Sequence, residues 1–138
     1  MHNHHHSLRH SIHLGTAWEP PAPAEAEGRL IWTRRFGRPG GLETGDRVLL
    51  VVAKPACAVE LVVNAVDLPP LTVGVDRWAQ DITPLLRDRN ELRVTADAGV
   101  GTGACDERSG RCPLPSVIGV VSLEIVAAAG VVMRVADA

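Results

Sequence analysis

The stretch DITPLLRDRNELRV, residues 81–94, predicts one helical turn that leads directly into a β-strand. Thr83 is a favourable N-cap residue, and Pro84 suits the first helical position because the missing N–H of proline would have no partner there. Asn90 can adopt the left-handed conformation that closes a helix. Apolar and polar residues then alternate, as in a half-buried strand. We therefore predict that Asp81, Thr83 and Asn90 specify the fold and that none of them contacts a ligand.

Further strand patterns lie on both sides of this stretch. Short apolar or alternating segments are separated by Gly, Pro, Asn and Asp at regular spacing. Residues 19–25 hold three prolines, which lack the N–H donor, so we expect an unpaired, extended connection there. The pattern indicates an all-β domain, a jelly-roll β-sandwich of about eight antiparallel strands with one short helical turn near residues 83–89. The predicted strands are residues 9–14, 29–38, 46–54, 57–63, 71–75, 91–96, 117–126 and 131–135.

The chain length of 138 residues fits a single domain. We assign residues 9–138 to the β-sandwich and residues 1–8 to a disordered His-rich tail. His4, His5 and His6 are chemically suited to Ni²⁺ or Zn²⁺. A stable site needs ligands held in a fixed geometry, which a flexible tail does not provide, so no metal site is predicted.

Composition and charge argue against two classes of partner. The net charge is −2, with 14 basic and 16 acidic residues, so we expect no basic surface for nucleic acid. The apolar runs are far shorter than the roughly 20 residues of a membrane helix, and we expect no membrane partner. The N-terminus lacks the apolar stretch of a signal peptide, so we expect a cytoplasmic location, or export if the chain is a fragment of a larger protein.

The three cysteines, Cys57, Cys105 and Cys112, allow several states. An odd number in a chain without a signal peptide favours free thiols. A Cys105–Cys112 disulfide would instead close a short loop, and zinc would need two further ligands. Cys57 leads into a predicted strand, where it would act as a small apolar core residue.

The order of these signals resembles the N-terminal jelly-roll domain of family 2 glycoside hydrolases, the β-galactosidase and β-glucuronidase relatives, within the broader galactose-binding-like fold. The resemblance covers a little over half of the chain, and its most specific part is the pattern Asp-Ile-Thr, Leu-Leu, Asn-Glu-Leu within residues 81–94. One departure is the hairpin at Asn64-Ala65, where the family usually has Asn-Gly. The weaker matches are residues 12–14, 18–19, 32–36, 45–48 and 59–64.

The resemblance implies a chain without catalytic residues. In that family the catalytic carboxylates belong to a separate (β/α) barrel, which needs about 200 residues or more and does not fit here. We therefore predict that the protein is not an enzyme. The resemblance also implies that loops at one end of the sandwich bind carbohydrate, and that a structural calcium ion is the one cofactor to consider.

Four residues are candidates for ligand binding. Residues 99–115 form a Gly- and Pro-rich segment that is longer than the ~12–15 residues of most loops without a function. Asp106, Glu107 and Arg108 near its tip are suited to sugar hydroxyls, and the two carboxylates also to Ca²⁺; a solvated loop tip is the alternative. Trp18 is the fourth candidate, because a solvent-facing indole can stack on a sugar; burial in the core is its alternative.

These observations together predict a non-catalytic β-sandwich module that binds carbohydrate or is accessory to a glycoside hydrolase. The alternative is a structural or protein-interaction domain without a small-molecule ligand, because apolar strands such as residues 117–126 and 131–135 can form interfaces. The expected partners are therefore a carbohydrate or another protein domain.

Overall fold

The computed structural model describes residues 7–25, 27–100 and 108–127, which form a sandwich of two antiparallel β-sheets and confirm the predicted fold class. The strands of these ranges are β1 (Ser7–His13), β2 (Ala22–Pro23), β3 (Arg29–Gly37), β4 (Arg47–Ala53), β5 (Glu60–Val63), β6 (Val66–Asp67), β7 (Arg77–Asp81), β8 (Arg89–Asp97) and β9 (Val120–Ala127). One sheet has the order β1-β9-β4-β7, and the other has the order β2-β3-β8-β5-β6. Short 3-10 turns lie at Thr83–Leu85, Ala98–Val100 and Ser116–Ile118.

The core lies between the two sheets and follows the alternation of the strands. In β8, every second residue is buried and the residues between them are at least partly exposed, as the sequence pattern predicts. Each sheet also contributes large side chains with no exposed surface, such as Trp32 on β3 and Leu50 on β4. Trp18 and Trp78 are buried in the same core, at 0% and 9% exposure. This single apolar cluster holds the two sheets face to face.

The helical turn is shorter than predicted, because it spans Thr83–Leu85 and not residues 83–89. The N-cap prediction for Thr83 is wrong, since Ile82 occupies that position. The Thr83 hydroxyl instead accepts a hydrogen bond from the Val48 N–H at 2.7 Å and donates one to Asp81 Oδ1 at 2.6 Å. Asp81 Oδ1 also accepts the Thr83 N–H at 2.9 Å. Thr83 therefore ties the turn to the four-stranded sheet, and Asp81 satisfies the first free N–H of the turn.

Asp81 is subject to opposing influences on its pKa. Burial acts to raise the pKa of this carboxyl, but the hydrogen bonds from Thr83 and then the Arg47 guanidinium outweigh burial and hold it below its usual value. Arg47 also forms an ion pair with Asp81 at 2.5 Å. A carboxylate whose pKa is lowered by folding stabilises the fold above its unfolded-state pKa of about 3.9. That contribution is lost as the pH falls through the lower, folded-state pKa.

We therefore expect Asp81→Asn to flatten the acid dependence of stability. In the unchanged protein, the free energy of unfolding should fall as the pH drops from about 5 to about 2, and the variant should lose part of that slope. Urea unfolding at a series of pH values measures this slope of the free energy of unfolding. Asp67→Asn is the matched control, because Asp67 is an exposed carboxylate on β6. An Asp81→Asn slope equal to that of the unchanged protein would contradict the expectation.

The hairpin between β5 and β6 turns at Asn64 and Ala65, both in the left-handed region, with φ of 50° and 68°. Two such residues form the type I′ turn, whose twist matches that of the flanking strands. Asparagine tolerates this conformation, whereas alanine pays a steric cost because of its Cβ atom. The turn therefore keeps its usual geometry although Ala65 replaces the expected glycine.

Ala65→Gly is expected to stabilise the domain by about 0.5–1 kcal/mol. The substitution removes a left-handed penalty of about 1–2 kcal/mol, part of which is offset by the greater flexibility of glycine in the unfolded chain. Chemical denaturation measures the change. Ala58→Gly is the matched control at an exposed position without positive φ, and it should destabilise the domain slightly. Equal effects of the two substitutions would show that Ala65 carries no backbone strain.

Several strand boundaries differ from the sequence-based predictions. Residues 71–75 do not form a strand, and β7 follows them at Arg77–Asp81, paired with β4. Ala22 and Pro23 pair with β3, although the prolines of residues 19–25 led us to expect no pairing. Proline is tolerated here because β2 is an edge strand, where one missing N–H donor leaves no inner partner unsatisfied.

The predicted starts of strands β1 and β5 also differ from the structure. Strand β1 begins at Ser7, so two residues that we assigned to the disordered tail belong to a strand. The predicted strand at residues 57–63 begins only at Glu60, which is exposed as expected. Residues 1–6 of the predicted tail and the predicted strand at residues 131–135 lie outside the described residues.

Candidate functional site

A cleft of about 850 Å³ opens at one end of the five-stranded sheet, and we call it the end cleft. It is formed where β3 ends, where the β5–β6 hairpin turns and where β8 begins. These three segments meet because β3 and β5 both run antiparallel to β8, on its two sides. The lining residues are Arg35, Phe36, Gly37, Asn64, Ala65, Arg87, Asp88, Arg89, Asn90 and Glu91.

Asn64 fixes the hairpin side of the end cleft. Its amide nitrogen donates to the Leu85 carbonyl at 2.8 Å and to Asn90 Oδ1 at 2.9 Å. Its side-chain oxygen accepts the Glu91 N–H at 2.9 Å, and its backbone N–H donates to the Glu91 carbonyl at 2.9 Å. Asn64 therefore extends the pairing of β5 with β8 by one residue, through backbone and side chain together.

Asn90 fixes the opposite side and forms the floor of the end cleft. Its side chain is 2% exposed, and its oxygen accepts the Arg87 N–H at 2.8 Å. Its amide nitrogen donates to the Arg87 carbonyl at 3.0 Å and to the Phe36 carbonyl at 3.3 Å. The left-handed conformation that we predicted for Asn90 is wrong, because Asn90 is a residue of β8 without positive φ. Its side chain, rather than its backbone, closes the preceding turn.

One part of the cleft rim consists of charges that neutralise each other. Arg35 forms ion pairs with Glu19 and, at 3.1 Å, with Glu91. Glu91 also accepts Arg93 Nε at 2.8 Å. These groups are at least partly exposed, so each pair contributes little to stability, about 0–1 kcal/mol. Their effect on the cleft is to hold Arg35 and Glu91 in defined positions.

The other part of the rim holds charges with no such partner. Arg87, Asp88 and Arg89 are exposed, and within the described ranges none of their side chains makes a hydrogen bond or an ion pair. The backbone between them is nevertheless fixed, since the Asp88 carbonyl accepts the Arg38 N–H at 3.0 Å. The end cleft thus presents two guanidinium groups and one carboxylate to a ligand.

The two predicted site residues that the structure describes, Trp18 and Arg108, do not line the end cleft. Trp18 is fully buried, and its indole N–H donates to the Leu14 carbonyl, so the ring offers no face to a ligand in solvent. Arg108 is exposed. Asp106 and Glu107 lie outside the described residues, so the site predicted for the long loop stays a prediction.

Cys112 is buried and disulfide-bonded, so the prediction of free thiols is wrong for this residue. The backbone of Cys112 also pairs with Trp18 through two hydrogen bonds of 2.8 and 3.0 Å, which ties residues near the long loop to the core. Cys57 is a free, half-buried thiol that packs against the core, and burial raises its pKa. Cys105 lies outside the described residues.

The described residues contain no group of three or more His, Cys, Asp or Glu side chains that could hold a metal ion. The structural calcium ion implied by the resemblance therefore has no carboxylate cluster in these ranges. The helices of these ranges are isolated 3-10 turns, and none is long enough to cross a membrane.

Sequence reasoning missed the end cleft, although one local signal was present. Arg87, Asp88 and Arg89 form a run of three charges between an apolar turn and a half-buried strand, where capping alone does not require them. The two asparagines are 26 residues apart, and only the register of β5 with β8 brings them together. The charged run could therefore have been found from the sequence, whereas the hydrogen-bonded pair of asparagines in the end cleft could not.

Comparison with known proteins identifies relatives of the fold. No protein-family model matches the sequence, and no curated protein matches it. Among solved structures, an FMN-binding β-glucuronidase from Facaelibacterium prausnitzii L2-6 is 21% identical, with a TM-score of 0.55, over 86% of this chain and 23% of that chain. A β-D-glucuronidase from Dictyoglomus thermophilum is 12% identical, with a TM-score of 0.59, over 91% of this chain and 29% of that chain.

A β-glucuronidase from Bacteroides uniformis gives the same result, with 12% identity and a TM-score of 0.59 over 84% of this chain and 18% of that chain. The chain therefore spans less than a third of the length of these structures. Identities this low establish the fold alone. At that level, the resemblance to the jelly-roll domain of family 2 glycoside hydrolases is confirmed.

Proposed function

We propose that this chain is a non-catalytic module that acts together with a glycoside hydrolase and holds carbohydrate in the end cleft. The observation that carries the proposal is the end cleft itself: an open cavity of about 850 Å³ with fixed polar groups, in a fold shared with domains of much larger glucuronidase chains. Ligand sites of this size commonly combine a shaped cavity with a few well-placed polar side chains.

The chemistry of the end cleft suits a saccharide. Sugar hydroxyls need both donors and acceptors, and the cleft offers guanidinium donors from Arg87 and Arg89 and a carboxylate acceptor from Asp88. Phe36 adds a half-buried aromatic surface for the apolar face of a sugar ring. Because the Asn64 and Asn90 side chains fix the surrounding backbone, little ordering is needed when a ligand binds.

The same residues are poorly suited to glycoside hydrolysis. Hydrolysis of a glycosidic bond uses two carboxyl groups, one of which must be held protonated in an apolar setting. The cleft contains Asp88, which is exposed to water, and Glu91, which is bound by two guanidinium groups. We therefore infer binding without catalysis, and expect no release of nitrophenol from nitrophenyl glycosides.

A panel of neutral and charged oligosaccharides, titrated into ¹⁵N-labelled protein, tests the proposal. We expect amide shifts at residues 64–65 and 87–91, with affinities in the millimolar to micromolar range. Asp88→Ala should weaken binding of neutral saccharides, whereas Asp76→Ala, an equal change at an exposed loop residue outside the cleft, should not. The absence of shifts for every saccharide at millimolar concentration would refute the carbohydrate-binding part of the proposal.

A protein-interaction domain is the second candidate. The structure weakens the argument for it that came from the apolar residues 117–126. The apolar residues of β9 point mainly into the core, and Val121, Leu123 and Ile125 are 4% exposed or less. The exposed large apolar residues of the described ranges, Leu8, Val66, Val73 and Val120, lie on different strands and loops. Single exposed apolar side chains are normal for a monomer. A concentration-independent monomer in sedimentation experiments would therefore favour the carbohydrate module.

The cytoplasmic location stays a prediction, and the redox state of Cys112 offers a test of it. Disulfides persist mainly in oxidising compartments. Because Cys112 is buried, the cells are quenched with acid and the unfolded protein is then alkylated without a reductant, so that mass spectrometry shows whether Cys112 is protected by a disulfide. Protection of Cys112 would favour export, and full alkylation would favour the cytoplasm.

A further inference from the structure

We infer that the end cleft selects saccharides that carry a negative charge, a carboxylate or a sulfate, through the guanidinium groups of Arg87 and Arg89. This inference rests on the proposed carbohydrate function and adds the substrate class. It starts from the difference between the paired charges of the cleft and the charges that have no partner.

The unpaired charges leave the end cleft with a positive excess. Arg35 and Glu91 also line it, but they are bound to each other and to further partners, so they are already neutralised. Arg87 and Arg89 contribute two positive charges, and Asp88 contributes one negative charge, so the groups without partners sum to +1. The chain as a whole has a net charge of −2, so this positive excess is a local property of the cleft.

The backbone that carries the two arginines is held on both sides. The Arg87 N–H and carbonyl both bind the Asn90 side chain, at 2.8 and 3.0 Å. Arg89 is paired with Gly37 in the register of β3 with β8. Asp88 between them accepts the Arg38 N–H at 3.0 Å. The two guanidinium groups therefore start from fixed points at the mouth of the cleft, which reduces the entropy lost when they close on a ligand.

Guanidinium groups match the chemistry of this ligand class. Their planar donor fork binds a carboxylate or a sulfate through two parallel hydrogen bonds, which a neutral hydroxyl cannot accept. A charge-assisted hydrogen bond contributes about twice as much as a neutral one, so we expect about a tenfold preference for the charged ligand. Asp88 would then orient the ligand, because its carboxylate accepts hydrogen bonds from the sugar hydroxyl groups and repels the negatively charged end of the ligand.

Matched ligands test the inference by calorimetry. Trigalacturonate is compared with its neutral methyl ester, and a sulfated galactose disaccharide with the unsulfated disaccharide, at about 50 mM and about 500 mM salt, where screening differs strongly. We expect at least one charged ligand to bind about tenfold more tightly than its neutral counterpart at low salt, and the preference to shrink at high salt. The ligand pair in which this preference is found shows whether the end cleft selects a carboxylate or a sulfate.

Two variants and one control assign the effect to residues. Arg87→Gln and Arg89→Gln should each reduce the preference, and together they should abolish it, because each substitution should weaken binding of the charged ligand more than binding of its neutral counterpart. Arg77→Gln removes the same charge from β7 of the other sheet and should leave the preference for the charged ligand unchanged.

Several outcomes would overturn the inference. Equal affinities for the charged and neutral members of both pairs would exclude charge selection, and would leave the proposed carbohydrate function intact. Inorganic sulfate that binds as tightly as the sulfated disaccharide would show a simple anion site and no saccharide selection. If no saccharide binds at all, the proposed function itself fails, and the inference fails with it.

Discussion

Gly119→Ala is expected to destabilise the domain by about 3–5 kcal/mol, a large part of the 5–15 kcal/mol that typically holds a domain folded. Gly119 links the Ser116–Ile118 turn to β9 with a φ of 109° and a ψ of −178°, a conformation that is almost restricted to glycine. A Cβ atom here would also lie 2.6 Å from the Ala53 carbonyl oxygen and 2.9 Å from Val52 Cγ1. Since β4 and β9 are the inner strands of their sheet, neither can move aside cheaply.

Two other glycines separate the causes of this loss. Gly110 has a φ of 69° but open space around its Cα atom, so Gly110→Ala should cost only the backbone term of about 1–2 kcal/mol. Gly40 has neither positive φ nor a close neighbour, so Gly40→Ala should change stability by less than about 0.5 kcal/mol. Chemical denaturation should therefore show the largest loss of stability for Gly119→Ala, a smaller loss for Gly110→Ala and the smallest change for Gly40→Ala. A Gly119→Ala variant as stable as Gly110→Ala would show that the contact with Ala53 is relieved by a small shift.

Asn90→Ala is expected to cost about 3 kcal/mol and to loosen the end cleft at the same time. The substitution leaves the Arg87 N–H, the Arg87 carbonyl and one donor of Asn64 without their partner, and a buried unsatisfied group costs about 1–3 kcal/mol. Entry of water through the open cleft offsets part of this loss. Denaturation measures the stability, and hydrogen exchange of residues 87–89 measures the loosening.

A side-chain amide on β7 of the other sheet provides the control for Asn90. Gln80 is half-buried, and its amide makes one long contact of 3.4 Å to the Asp81 carbonyl, so Gln80→Ala should cost less than about 1 kcal/mol. Because Asn64 and Asn90 share a hydrogen bond, removal of both should cost less than the sum of the single losses. Additive losses, or an Asn90→Ala cost as small as that of Gln80→Ala, would mean that the two asparagines act independently.

The sequence predicted those elements whose side chains alternate between core and solvent. Strand β8 was found because Leu92, Val94 and Ala96 alternate with more polar residues and are buried. Strand β3 was found because Leu30, Trp32 and Phe36 lie at alternate positions, and of these Trp32 is buried and the other two are half-buried. Strand β7 was missed because only Trp78 gives it an apolar signal. Its ends, Arg77 and Asp81, are stabilised by ion pairs with Glu124 and Arg47, residues 47 and 34 positions away. Pairing between distant residues leaves no local pattern in the sequence.

The site shows the same limit in a different form. Asn64 and Asn90 carried a local signal for turns, and the structure confirms a turn at each place. Their mutual hydrogen bond depends on the register of β5 with β8, which alternation alone does not determine to one residue. The end cleft is thus a product of strand register. Trp18 was a candidate because a single indole gives no sign of whether it faces the core or the solvent.

The burial of all three tryptophans decides how this protein can be observed. Trp18, Trp32 and Trp78 are 9% exposed or less, and the chain contains no tyrosine. Intrinsic fluorescence therefore reports the apolar interior, and its emission should shift to longer wavelength when the sandwich opens to water. None of the three indoles lines the end cleft. A ligand that fills the cleft should leave this emission unchanged, so the optical signal separates unfolding from binding.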